Sequence, residues 1–307
     1  MRSDHMRIMF MGTPDFAAYS LEKLIESGAD VCSVVTRADA KKDRGQKIKF
    51  SPVKEVALAH NISVYQPLNL KEENFKEILE NENPDLIVVV AYGRILPPYV
   101  LEYPKFGCIN VHASLLPKYR GSAPIQYAVA MGECESGVTI MQMNEGLDTG
   151  DMLTKCVVPI TDTETGGSLH DKLMVAGAEL LLNTIPKLGT LAGEVQDDSL
   201  STYAPPIKKE ETIISFEWDA KDIVNKIRGF YPFPGTSFIH NEKAYKIHGA
   251  ELFSQEDKQP YGSILEFSKN RLLISAKNGV INITALQPPG KKMMKIADFY
   301  NGNRDSF

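Results

Sequence analysis

RIMFMGTPDFAAYSLEKLIESGADVCSVV, Arg7 to Val35, opens with a short apolar run and breaks at Gly12-Thr13-Pro14-Asp15. It continues as a helical pattern from Phe16 to Ser27, which Gly28 ends, and closes on a second apolar run from Val31 to Val35. Strand, turn, helix, strand is a βαβ opening. The expected fold is therefore α/β, Rossmann-like, with a mostly parallel sheet and helices on both faces. Asp85 to Ala91, DLIVVVA, fits the same sheet, because a strand buried on both faces reads as a continuous apolar run. The turn at Gly12 is not G-x-G-x-x-G. It holds one glycine, and its proline lacks an N–H that a pyrophosphate would use, so no dinucleotide cofactor is expected.

Polar chemistry collects further along. Cys108 to Gln126, CINVHASLLPKYRGSAPIQ, begins as a short strand and runs into a Pro/Gly-punctuated loop. Period-2 alternation puts Asn110 and His112 on one face where the strand ends, the edge at which open α/β sheets bind ligands. Gly137 to Asp151, GVTIMQMNEGLDTGD, is another apolar strand followed by a glycine-rich turn that carries Asp148. An amide, an imidazole and a carboxylate can thus converge. The same three residues have duller explanations, an ordinary hydrogen-bonded loop and an Asx-type turn. A metal is not expected, since asparagine is a poor ligand and no second His or Cys neighbours His112.

Composition bounds the rest. A chain of 307 residues, 43% hydrophobic and 24% charged, suits a soluble protein of two domains. No apolar run reaches the ~18 residues of a membrane span. Met1 to Met6 lacks the apolar core of a signal peptide, and Met6 reads as the natural start after a cloning remnant. Cys32, Cys108, Cys134 and Cys156 form no C-x-x-C pair, and Cys32 and Cys108 lie in apolar strands as buried free thiols, so a reducing cytoplasm is expected. The net charge of −5 divides unevenly, −8 through Pro206 and +3 from Ile207 onward. That asymmetry is compatible with a polyanion at the C-terminal third.

Three further segments carry the organisation. Thr36 to Phe50, TRADAKKDRGQKIKF, is long for an α/β loop and holds Arg37, Lys41, Lys42, Arg44, Lys47 and Lys49, either a solvated excursion or an arm for phosphates. Leu169 to Leu188 carries a helical apolar stripe that leaves His170 outside it. Residues 193–209, polar with paired prolines, read as a linker between a domain of residues 6–192 and one of residues 210–307. The latter predicts a helix from Ala220 to Arg228 and about five short strands, a small barrel of oligonucleotide-binding type, with Lys291, Lys292 and Lys295 on a late loop.

The order Asn110-x-His112, Ser114-Leu115-Leu116-Pro117, Gly121, Pro124 and Gly146-Leu147-Asp148-Thr149-Gly150-Asp151 resembles the folate-dependent formyltransferase family. The likeness extends through Met11 to Phe16, Ser51 to Lys54, Val88 to Gly93 and Gln287 to Lys292, nearly the whole chain. It implies 10-formyltetrahydrofolate as formyl donor and Asn110, His112 and Asp148 as the catalytic residues. Ile95, Leu96, Pro97, Ser114, Leu115, Leu116, Pro117 and Asp148 are then expected to line the folate site. The implied acceptor is the amine of initiator methionyl-tRNA. The loop of residues 36–50 would engage the acceptor stem, with Arg44 matching the family's tRNA-contacting arginine, and the barrel lysines would bind tRNA. Lys41-Lys42-Asp43 and Gln46 depart from the usual loop pattern. The resemblance alone leaves open a small-molecule amine or water as acceptor, or a non-catalytic RNA-binding protein. A monomer is expected.

Overall fold

The computed structural model describes residues 6–42, 47–255, 259–304 and 307. The chain divides into two compact units. The first holds residues up to Pro124, Ser136–Pro159 and His170–Ala204. The second holds Ile125–Glu135, Ile160–Leu169 and Pro205–Phe307.

In chain order the elements are β1 (Arg7–Gly12), α1 (Asp15–Glu26), β2 (Asp30–Val35), β3 (Ala40–Lys42), β4 (Lys47–Lys49), α2 (Pro52–Ala59), β5 (Ser63–Tyr65) and α3 (Glu72–Glu82). There follow β6 (Leu86–Val90), α4 (Pro98–Leu101), β7 (Cys108–His112), β8 (Arg120–Gly121), α5 (Pro124–Ala130), β9 (Glu135–Gln142), β10 (Met152–Pro159) and α6 (Gly166–Thr184). A seven-stranded sheet runs in the order β10-β9-β7-β6-β1-β2-β5. β5, β2, β1, β6 and β7 are parallel to their neighbours within this run, and β9 is antiparallel to β7. Chain order reverses between β1 and β6, the topological switch of an open α/β sheet.

Local chemistry explains the pieces. β6 is buried at every position, as its unbroken apolar run requires. Ser51 caps α2 by accepting from the Lys54 N–H at 3.1 Å, and Pro52 at the first helical position gives up no bond. α6 buries Leu169, Leu173, Ala178 and Leu181, so the stripe faces a core as far as Thr184, where the helix ends four residues short of the expected Leu188. Burial among Met9, Met11, Phe75, Ile87 and Val100 pushes the Cys108 thiol up to about 12, which makes it inert, and all four cysteines are free thiols. The basic stretch expected to be a loop without periodicity contains two short antiparallel strands, Ala40 opposite Lys49 and Lys42 opposite Lys47.

The first unit ends on β11 (Tyr203–Ala204), and the second holds α7 (Ala220–Phe230), β12 (Thr236–His240), β13 (Lys243–Ser254), β14 (Ile264–Phe267), β15 (Leu272–Ala276), β16 (Gly279–Gln287), β17 (Met294–Lys295) and α8 (Ile296–Asn303). Its antiparallel sheet has the order β12-β13-β16-β15-β14, with β17 on β16. Three register shifts along the β13–β16 ladder bend the long β13, the device that curls a sheet toward a partly open barrel. Asn241, Glu242 and Asn278 take positive φ at the hairpin turns read from the sequence. Ile223 and Ile227 of α7, Phe238, Ile247, Leu272, Ile281 and Phe299 fill one core. Residues 125–135 join this unit because Gly229 brings α7 against α5. A Cβ there would lie 2.6 Å from the Ala130 nitrogen and 2.7 Å from the Gln126 carbonyl.

The segment that reads as a linker is ordered into the first unit as far as Ala204. β11 pairs in parallel with β8, Tyr203 opposite Arg120 and Ala204 opposite Gly121. Among the described residues no helix is long and apolar enough to cross a membrane.

Candidate active site

β7 carries Asn110 and His112 to the carboxyl edge of the sheet. His112 is buried, and its Nε2 lies 3.0 Å from the Tyr119 carbonyl. A carbonyl only accepts, so Nε2 bears hydrogen. Nδ1 is then the atom whose protonation can change, and it faces Asp148 Oδ2 at 3.6 Å. The same carboxylate oxygen accepts from the Gly121 N–H at 2.8 Å. Asn110 is half-buried, and its carboxamide has no hydrogen-bond partner among the described residues. An amide donor, an imidazole nitrogen and a carboxylate are thus presented by neighbouring segments of one unit.

Asp148 reaches the site from the turn after β9. β9 is antiparallel to β7, with Gln142 opposite Ile109 and Thr139 opposite His112. The chain therefore leaves β9 beside the start of β7, and the turn has to reach back toward His112. Asp148 occupies that turn in the left-handed region, at φ 52°. Asp tolerates that conformation better than most side chains, at a cost of about 1 kcal/mol.

A buried network fixes the turn. Arg120 is 2% exposed and Gln196 is 7% exposed. Arg120 Nε and Nη2 donate to Gln196 Oε1 at 3.0 and 2.8 Å, and Nη2 also donates to Asp198 at 2.7 Å. Gln196 Nε2 donates to the carbonyls of Asp148 at 2.8 Å and Gly150 at 2.7 Å. Thr202 accepts from the N–H groups of Tyr119 and Arg120, each at 2.9 Å. Gly121, next to Arg120, has φ 115°, and a Cβ on it would sit 2.7 Å from the Ala204 carbonyl. Arg120 and Gln196 do not stand out in the sequence. A paired-proline, polar segment signals a linker, and only the β8–β11 pairing shows what it holds.

The other residues expected at the site divide by exposure. Ile95 is 79% exposed, and Leu147, beside Asp148 but not among the expected residues, is 56% exposed. Pro97, Leu115 and Pro117 are half-buried. Leu96 belongs to the core under the sheet, and Leu116 packs with Met141 and Met152. Ser114 is fully buried, and its hydroxyl donates to the Lys118 carbonyl at 2.6 Å. Ser114, Leu96 and Leu116 therefore shape the loops rather than offer side-chain surface.

Among the basic residues, Arg37 is exposed and donates to the Gly93 carbonyl at 2.9 Å, tying the end of β2 to the loop after β6. Lys49, Lys291, Lys292 and Lys295 are exposed. Arg44 lies outside the described residues, as do the side chains of Lys41, Lys42 and Lys47.

Comparison with known proteins identifies the family. The family model described as formyl transferase matches residues 6–185, and the one described as formyl transferase, C-terminal domain, matches residues 206–304. Methionyl-tRNA formyltransferase from Pelotomaculum thermopropionicum is 46% identical over 300 residues, covering 97% of this chain and 96% of that protein. The methionyl-tRNA formyltransferase of Ectopseudomonas mendocina is 47% identical over 306 residues, covering 99% and 97%. Among solved structures, an N-formyltransferase from Helicobacter canadensis, in complex with folinic acid and dTDP-3-aminofucose, aligns with a TM-score of 0.69 at 23% identity, covering 91% of this chain and 98% of that one. HypX from Aquifex aeolicus in complex with tetrahydrofolic acid aligns at 0.64 and 19% identity, covering 99% of this chain and 48% of that one. These two likenesses concern the fold; the sequence matches carry the family. The chain belongs to the formyl transferase family.

Proposed function

We propose that this chain transfers the formyl group of 10-formyltetrahydrofolate to the free α-amino group of methionyl-initiator-tRNA. The observation that carries the reading is the pairing of His112 Nδ1 with the Asp148 carboxylate at 3.6 Å, on the same strand end that presents the Asn110 carboxamide. Identity of 46–47% over nearly full length with proteins named methionyl-tRNA formyltransferase supports the acceptor.

The amine nitrogen attacks the formyl carbon, a C–N bond forms, and the carbonyl electrons move onto oxygen. The Asn110 amide N–H is a donor suited to that oxyanion. Collapse of the tetrahedral intermediate expels the folate nitrogen, which takes up a proton as the amine gives one up. His112 Nδ1 and Asp148 Oδ2 are the two groups available to accept and return it, because Nε2 is committed to Tyr119. The exposed apolar faces of Ile95 and Leu147 suit a flat, partly apolar donor.

In the same reading residues 6–192 carry catalysis and residues 210–307, with Lys291, Lys292 and Lys295, contact tRNA. Arg37 and the paired strands β3 and β4 approach the acceptor stem. The protein works in the cytoplasm as a monomer. Incubation with 10-formyltetrahydrofolate and charged initiator tRNA is expected to yield formyl-methionyl-tRNA. Release of free formate at the same rate with or without tRNA would refute the acceptor.

A further inference from the structure

We infer that Gln196 is a positioning residue for formyl transfer: it bridges Arg120 to the Asp148 turn and so holds the carboxylate on His112. The inference rests on the catalytic reading of Asn110, His112 and Asp148 above.

Two separate arms build the His112–Asp148 pair. Residues 117–123 supply the Tyr119 carbonyl to His112 and the Gly121 N–H to Asp148. Residues 144–151 supply the carboxylate itself. Gln196 binds both arms. Its two N–H groups go to the Asp148 and Gly150 carbonyls, and its oxygen takes two N–H groups of one guanidinium from the first arm. All its donor and acceptor capacity is thereby used.

The turn needs such a tie because the sheet does not place it. Gln142 stands opposite Ile109, and the residues beyond it leave the ladder before they reach Asp148. Asp148 is also held at φ 52°, where an L-residue stays only when its surroundings fix its peptide groups. The bond from Gln196 Nε2 to the Asp148 carbonyl fixes one of those groups. When it is lost, relaxation to negative φ swings the carboxylate away from Nδ1. No side chain of similar size replaces this bridge: glutamate lacks the two donors, methionine has neither an N–H nor an oxygen, and asparagine is one methylene short.

The test is Gln196→Met in the full-length protein, assayed for formyl transfer to charged initiator tRNA. The expected kcat falls about 10- to 100-fold, the size of effect that misplacing a catalytic group produces. KM for the folate donor and for tRNA should each stay within about 2-fold. On an Asp148→Asn background the same substitution should change the residual rate by less than about 2-fold, because the group it positions has already been disabled. Wild-type kcat in Gln196→Met overturns the inference, and so does an equal loss on both backgrounds. If Gln196→Met does not fold, Gln196→Glu keeps the side-chain length and the Arg120 pairing but lacks both donors. It must show the same fall in kcat, and wild-type kcat there overturns the inference equally. Wild-type activity of Asp148→Asn alone would instead sink the catalytic reading, and the positioning role with it. That outcome is distinct from an inactive Asp148→Asn beside an unaffected Gln196→Met.

Discussion

Asn110 projects from the middle of β7 without a hydrogen-bond partner among the described residues, so its replacement leaves nothing there unsatisfied. Asn110→Ala should therefore fold with an unchanged urea midpoint. Its kcat for formyl transfer should fall roughly 10²- to 10³-fold, the usual cost of one oxyanion donor. A rate within a factor of a few of wild type would remove the amide from the mechanism. His112 differs, because its ring is pinned through Nε2 and the reactive face is thereby set to Nδ1. Both residues are legible in the sequence, since a strand end with N-x-H and a glycine-rich turn with aspartate expose their chemistry in residue type alone. Arg120 and Gln196 are not, because their roles depend on a pairing between residues about eighty positions apart.

At the scale of elements, the parallel sheet is readable from continuous apolar runs, and the hairpins of the second unit from Asn-Glu and Asn-Gly turns. The direction of β9 is not, for a period-2 pattern is identical read either way. That ambiguity hides how the Asp148 turn is placed. β8 and β11, two residues each, fall below what periodicity can show, yet the site depends on them. Gly121→Ala introduces a Cβ 2.7 Å from the Ala204 carbonyl at φ 115°. It should cost roughly 2 kcal/mol or more of stability and lower kcat, read by urea unfolding and initial rates. A stable, fully active variant would show that this pairing does not support the site.

A second tie lies wholly within the other unit. The Tyr127 hydroxyl on α5 donates to Glu211 at 2.8 Å, and Glu211 also accepts from the Lys208 N–H at 3.0 Å. Burial, then the Glu211 carboxylate, raises the Tyr127 phenol from 10.0 to about 12. The Lys208 N–H and the Tyr127 hydroxyl hold Glu211 below its ordinary value of 4.5. A raised phenol stabilises the fold below pH 10.0 and loses that contribution as pH climbs toward about 12. A depressed carboxylate stabilises above 4.5 and loses its contribution as acid carries it through its lower folded value. Tyr127→Phe should thus cost about 1 kcal/mol near neutrality. The gap to wild type should close in acid and in strong base, as urea midpoints across pH would show. A gap independent of pH would assign the loss to packing instead.

For the whole molecule, charge separates along the chain, −8 through Pro206 and +3 beyond, with Lys291, Lys292 and Lys295 exposed on the second unit. If these lysines meet tRNA phosphates, replacing all three with alanine should lower kcat/KM for charged tRNA. It should also flatten its dependence on log salt concentration by about one unit for each phosphate left without its lysine, with KM for the folate donor unmoved. An unchanged salt slope would place the tRNA elsewhere. The catalytic proposal depends on the carboxylate that the turn after β9 brings to His112. Single-turnover formylation of methionyl-tRNA by Asp148→Asn, compared with wild type at saturating donor and tRNA, tests it most directly. The expected result is a rate lower by about 10²-fold or more with tRNA binding intact. Formyl transfer at the wild-type rate would contradict it.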